Sequence, residues 1–87
     1  MSFEKEQIFE VVKANTLKVL VDLRPEDVTI DQSLTDLGAN SVDRVEVVMY
    51  SMEELNLEVP RAELKGITNL RGLVDLLHHH ANSKPTP

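Results

Sequence analysis

The sequence predicts an all-α fold, a three- to four-helix bundle with a long first loop. Apolar residues recur at steps of three and four in separate segments, which is typical of amphipathic helices. No segment alternates with a period of two for long enough to predict a sheet. The length of 87 residues suits one core, and we assign the domain to residues 1–81.

The first helix is predicted over residues 3–23. Its apolar side is formed by Ile8, Val11, Val12, Val19, Leu20 and Leu23. Ser2 is the expected N-cap. Pro25 ends the helix, because the residue before a proline disfavours helical geometry.

Residues 25–40 form the long connection that follows. Its expected apolar anchors over the core are Val28, Ile30, Leu34 and Leu37. Loops of this length without regular structure are uncommon in compact domains and are often functional. Gly38, close to the end of the loop, suits a tight chain reversal.

The second helix is predicted over residues 41–55. The predicted core stripe is Val45, Val48, Met52 and Leu55, with Val42 and Met49 in a second row near its edge. A short helical turn is expected at residues 61–65. The last helix should cover residues 70–80, capped by Thr68 or Asn69. Residues 82–87 read as a disordered tail.

Composition and charge exclude several classes of function. The chain has no cysteine, so it has neither disulfides nor a thiolate nucleophile of its own. Its net charge of −6 makes nucleic acid an unfavourable partner and favours basic patches on other proteins. Its first residues lack the basic and apolar regions of a signal peptide, and no apolar run approaches the ~20 residues that span a bilayer. We therefore expect a cytoplasmic monomer without a membrane partner.

The most specific segment lies where the second helix begins. Asn40 is a candidate N-cap, and Asp43 three residues later completes a capping-box pattern. Ser41 would then be the first helical residue, with its hydroxyl exposed at the end of the loop. A phosphate ester there would lie at the positive end of the helix dipole. Taken alone, a serine at a helix start is more often a simple cap.

The context of this serine resembles the attachment motif of acyl carrier proteins. The motif is Leu-Thr-Asp-Leu-Gly-Ala-Asn-Ser-Val-Asp (residues 34–43), followed by Val-Glu-Val-Val-Met (residues 45–49). The order of the other predicted elements agrees over nearly the whole chain. The resemblance implies that Ser41 receives 4'-phosphopantetheine from coenzyme A, and that the arm's thiol then carries acyl groups as thioesters. It implies a carrier that partner enzymes act on, and no catalysis by the chain itself.

Two positions depart from the usual motif. Asn40 stands where the family usually has Asp, and Val42 where it usually has Leu or Ile. The acidic side chain often supports modification, so its replacement is expected to change the rate of loading.

The segment Gly-Ala-Asn-Ser-Val-Asp-Arg-Val-Glu-Val-Val (residues 38–48) also resembles discrete carriers of polyketide pathways, in particular the acetyl donor carriers of β-branching cassettes. The implied partners are a phosphopantetheinyl transferase, an acyltransferase, and a ketosynthase or an HMG-synthase-like enzyme. Carriers for fatty-acid or aminoacyl groups are the alternative within the family.

The second helix is also the family's main recognition surface. The resemblance therefore favours a docking surface formed by Val42, Asp43, Arg44, Glu46 and Met49. Without the resemblance, Val42 and Met49 at helical spacing would be read as core and the carboxylates as a solvated face.

The alternatives outside the family are a hydrolase, a metal site and a helical adaptor. A Ser-His-Asp hydrolase is disfavoured because the histidines cluster at residues 78–80 and no G-x-S-x-G elbow is present. Consecutive histidines on a helix point about 100° apart, so they do not predict a metal site. A helical adaptor without an arm remains a rival, and it differs from any carrier in not requiring Ser41.

Overall fold

The computed structural model describes residues 3–83, and that part of the chain forms four α-helices and no strand. The helices are α1 (Lys5–Val19), α2 (Ser41–Leu55), α3 (Arg61–Leu64) and α4 (Leu70–Ser83). A 3-10 turn at Pro25–Asp27 lies in the long first loop. The predicted fold class is confirmed, and the predicted bounds of α2 agree with the structure.

The predicted end of α1 is wrong by four residues. Leu20 leaves the helical conformation, and its N–H closes the last turn on the Thr16 carbonyl at 2.8 Å. The next residues form a separate turn, in which Leu23 N–H donates to the Leu20 carbonyl. At the other end Glu4 occupies the N-cap position. Ser2, the expected cap, lies outside the described residues.

The later helices differ from prediction only at their ends. α3 stops at Leu64, one residue early, and α4 continues to Ser83, three residues beyond its predicted end. Asn69 is the cap of α4, since its side-chain oxygen accepts a 2.9 Å hydrogen bond from Gly72 N–H. Residues 84–87 of the predicted tail lie outside the described residues.

The core forms where α1 packs against both α2 and α4. Its fully buried apolar side chains are Ile8, Val12, Val47, Leu70, Val74 and Leu77. Apolar burial of this kind is the main stabilising term for a small domain. The remaining surface of α2 faces away from α1 and is available for the site.

The predicted core stripe of α2 is partly wrong. Val45 is 50% exposed, whereas Val47, Ser51 and Leu55 form the most buried row. The helix is thus rotated relative to its apolar pattern, with a serine inside and a valine outside. Val48 and Met52 are partly buried against the core, as the stripe predicted.

Hydrogen bonds within each helix allow polar side chains to be buried between α1 and α2. The Ser51 hydroxyl donates to the Val47 carbonyl at 2.7 Å, and the Thr16 hydroxyl donates to the Val12 carbonyl at the same distance. Asn15 donates to the Val11 carbonyl at 2.9 Å. Because each group is satisfied within its own helix, burial leaves no hydrogen bond unmade.

The first loop lies over the core through its apolar anchors. Val28, Leu34 and Ala39 are buried, while Leu37 packs against the core with partial exposure. Ile30 is also only partly exposed. Three of the four predicted anchors therefore contact the core cluster directly, and Ala39 is an anchor that the pattern did not predict.

The loop is also bonded to the start of α4. Leu70 N–H donates to the Gln32 carbonyl at 2.8 Å, and Arg71 N–H donates to the Ile30 carbonyl at 2.7 Å. The first N–H groups of a helix have no acceptor within the helix, so the loop supplies what the helix lacks. The loop is consequently tied to a helix some 40 residues further along the chain.

An ion pair reinforces this connection. Arg71 Nε donates to Asp31 Oδ1 at 2.9 Å. This hydrogen bond, together with the positive charge of Arg71, holds the pKa of the Asp31 carboxyl below its usual range. The same contact raises the pKa of Arg71. Both side chains are exposed, so the pair adds to the backbone bonds rather than replacing them.

None of the helices in residues 3–83 combines the length and the apolar character needed to cross a lipid bilayer.

Candidate functional site

The last part of the loop, residues 33–39, is a compact chain reversal. Ser33 and Asp36 exchange hydrogen bonds, each side chain accepting from the other residue's N–H, at 2.9 and 3.2 Å. Gly38 follows with φ of +101°, a conformation that L side chains rarely adopt. Ala39 N–H then donates to the Leu34 carbonyl at 3.0 Å. The reversal thereby delivers the chain to the start of α2.

The first turn of α2 is closed by the predicted capping box. The Asn40 side chain accepts from Asp43 N–H at 2.8 Å, and the Asp43 carboxylate accepts from Asn40 N–H at 3.2 Å. Asn40 thus performs the capping role that an aspartate would perform, because capping requires only an acceptor oxygen. Ser41 is the first residue of the helix.

Ser41 is exposed to solvent, and its hydroxyl is not used as a cap. One contact to it was missed by sequence reasoning: an Arg44 guanidinium nitrogen lies 3.3 Å from Ser41 Oγ and donates to it. The spacing of three along a helix is a signal that would have revealed this contact. The arrangement presents an accessible hydroxyl oxygen beside a positively charged guanidinium.

Ser41 and Arg44 also line a groove of about 660 Å³. Its apolar walls come from α2, from α3 and from the start of α4. The α2 wall contains Val45, Val48, Met49 and Met52. The opposite wall carries the cations Arg61 and Lys65. No Asp or Glu lines it, although the protein as a whole is acidic.

The structure places the predicted docking residues along the first three turns of α2. Val42 is 65% exposed and Met49 is 47% exposed, so neither belongs to the core. Glu46 is half-buried and accepts a hydrogen bond from the Tyr50 hydroxyl at 3.4 Å. Asp43 is held by the capping box, as described above. These side chains and Arg44 thus lie on the helix that begins with Ser41.

The histidines at residues 78–80 are engaged elsewhere. His80 Nε2 lies 3.1 Å from Glu63 Oε1 and links α4 to α3, while His78 Nε2 lies 2.8 Å from Asn82 Nδ2. Within the described residues Ser41 has no hydrogen bond to a histidine. The serine therefore lacks the base that nucleophilic hydrolysis requires.

Comparison with known proteins now identifies the family. The sequence profile of the phosphopantetheine attachment site matches residues 14–77, which is most of the chain. The chain belongs to the phosphopantetheine-attachment family. It is a carrier protein rather than an enzyme, and the group that such a domain carries is a phosphopantetheine joined covalently to a serine.

Two known proteins are similar to this chain over most of its length. It is 38% identical to the polyketide biosynthesis acyl-carrier-protein AcpK of Bacillus subtilis (strain 168), over 92% of this chain and 98% of that protein. It also matches a chain in the crystal structure of the HMG synthase of the curacin biosynthetic pathway in complex with its acetyl donor carrier. That match has a TM-score of 0.80 and 37% identity, and covers 87% of this chain and 97% of the other.

The residues at the start of α2 fit a phosphopantetheine group. A phosphodiester needs an accessible hydroxyl for attachment and benefits from a nearby cation. The carrier supplies the first at Ser41 and the second at Arg44, and the two are already in contact.

Replacing Asn40 tests the cap that positions Ser41. We expect Asn40→Ala to lower the free energy of unfolding by about 1 kcal/mol, because Asp43 N–H loses its acceptor. Asn40→Asp is the matched control, and it should stay within about 0.5 kcal/mol of wild type, since a carboxylate also accepts at this position. Urea denaturation measures both. Equal stability of the alanine variant and wild type would show that the cap does not hold this turn.

Proposed function

We propose that Ser41 carries the 4'-phosphopantetheine arm, and that the protein presents acyl thioesters to the enzymes of a polyketide pathway. The observation that carries this proposal is the exposed hydroxyl of Ser41 at the first position of α2, within a sequence motif that resembles the attachment site. The polyketide relative at 38% identity supports the pathway.

Loading of the arm is a phosphoryl transfer. The Ser41 oxygen attacks the phosphorus of coenzyme A that bears the pantetheine, a P–O bond to the adenosine half breaks, and adenosine 3',5'-bisphosphate leaves. The hydroxyl proton passes to a base of the transferase. When attached, the arm supplies a terminal thiol that holds acyl groups as thioesters. The chain contains no cysteine, so no side-chain thiol competes for the acyl group.

Within the pathway, we assign the protein the role of acetyl donor to an HMG-synthase-like enzyme. The match to the complex of the curacin HMG synthase with its acetyl donor carrier favours this role, since it covers almost all of the matched chain. Carriage of fatty-acid or aminoacyl groups is the alternative. We further propose a cytoplasmic location, where coenzyme A is available to the transferase.

The docking surface of the proposal is Val42, Asp43, Arg44, Glu46 and Met49 on α2. Two exposed apolar side chains flanked by carboxylates suit a partner with a shallow apolar pocket and a basic rim. Such contacts give fast association and easy release, which a carrier that visits several enzymes requires.

Intact-protein mass spectrometry tests the attachment. After incubation with coenzyme A and a broad-specificity phosphopantetheinyl transferase, we expect one phosphopantetheinyl addition to the wild-type chain and none to Ser41→Ala. Asn40→Asp, run alongside, shows whether an acidic residue speeds loading. A helical adaptor would show no addition under conditions that fully modify another carrier, and its binding would survive Ser41→Ala.

Binding to the HMG-synthase-like enzyme tests the docking surface. Met49→Ala should weaken binding about fivefold or more if Met49 fills a pocket on the partner, as central apolar contacts do. Val21→Ala is the matched control, because Val21 is 79% exposed and lies on the loop after α1. Affinity should also fall as salt is raised from 0.05 to about 0.5 M, since exposed charges are screened. Calorimetric titration with equal losses for both variants, or with no dependence on salt, would contradict this docking surface.

A further inference from the structure

We propose that Arg44 binds the phosphodiester through which the arm is joined to Ser41, and so holds the base of the arm against α2. This inference rests on the proposed attachment at Ser41. It assigns a positioning role to Arg44 that is separate from contact with a partner enzyme.

The distance between the two residues carries the inference. The Arg44 guanidinium already donates to Ser41 Oγ at 3.3 Å. In the loaded protein a phosphorus atom is bonded to that oxygen, and its charged non-bridging oxygens lie one bond further out. A planar guanidinium with several N–H donors can reach such oxygens by a small rotation, and it binds phosphate more strongly than a hydroxyl.

Arg44 is free of any competing carboxylate. The ion pairs within residues 3–83 use Lys5 and Arg71 as cations, and Arg44 is not among them. The carboxylates near the site point elsewhere. Asp43 accepts from Asn40 N–H, and Glu46 accepts from the Tyr50 hydroxyl.

Most Lys and Arg side chains within residues 3–83 are likewise outside these ion pairs. Arg44 differs from those side chains in its contact with the attachment serine, at 3.3 Å from Ser41 Oγ. A phosphodiester at Ser41 would place a negative charge within reach of this guanidinium. The pairing would restrict the first segment of the arm and leave the thiol end to move.

Arg61 provides a matched control for the charge. It lines the same groove as Ser41, but it lies on α3 and has no hydrogen bond to the serine. Arg61→Gln therefore removes the same charge from the same groove without removing the contact. Arg44→Lys keeps a charge at the correct position with fewer donors.

Nuclear magnetic resonance of the unloaded and loaded proteins tests the inference. Loading should shift the Arg44 Nε–Hε resonance and leave that of Arg61 in place. The phosphorus resonance of loaded Arg44→Gln should move toward that of a free pantetheine phosphodiester, whereas Arg61→Gln should match wild type and Arg44→Lys should lie between. Salt at about 1 M should reduce the difference between wild type and Arg44→Gln, because the pair is exposed.

The outcomes separate the two levels of the proposal. A chain whose mass does not change on loading overturns the attachment at Ser41, and this inference with it. A modified chain in which the Arg44 resonance stays in place, or in which the two glutamine variants give the same phosphorus spectrum, overturns the role of Arg44 alone. Unchanged backbone spectra of unloaded Arg44→Gln exclude a merely structural effect.

Discussion

The attachment of the first loop to the start of α4 is the constraint on which the site depends. The carbonyl groups of Ile30 and Gln32 accept from the first two N–H groups of α4, at 2.7 and 2.8 Å. A long connection loses much conformational entropy when it is ordered, and its buried backbone groups need partners. These two bonds provide partners for the loop and for the helix end at once.

The position of Ser41 follows from this constraint. With the loop tied at residues 30–32, only the short reversal over residues 33–39 remains before α2 begins, and Gly38 allows that reversal at its positive φ. Asn40 then caps the helix, so the hydroxyl of Ser41 is not needed for capping. The serine is therefore exposed on a rigid support. This suits a residue that a transferase has to reach and that then bears a mobile arm.

The fold class and the motif at residues 34–43 were predictable because both depend on local signals. Helical periodicity, the capping pattern of Asn40 and Asp43, and the glycine before them are encoded within a few residues of sequence. The end of α1 and the rotation of α2 could not be predicted from such local signals. Burial of Ser51 depends on hydrogen bonding to its own helix and on packing against α1. The spacing of apolar residues indicates neither of these contacts.

Contacts between residues far apart in the sequence could not be predicted either. The pairing of Asp31 with Arg71 joins residues 40 positions apart, and one sequence holds no signal for it. The contact between Arg44 and Ser41 is different, since its spacing of three was visible. It was missed because Arg44 was considered as part of a partner surface and not as a neighbour of the serine.

Amide hydrogen exchange at the starts of α2 and α4 is the most direct test of this account. Leu70 and Arg71 hold the same two helical positions in α4 as Ser41 and Val42 hold in α2, but only the α4 pair has acceptors in the loop. The account predicts slow exchange at Leu70 and Arg71 and fast exchange at Ser41 and Val42. Equally fast exchange at all four would show that the loop is not held by α4, and the structural basis for the position of Ser41 would be contradicted.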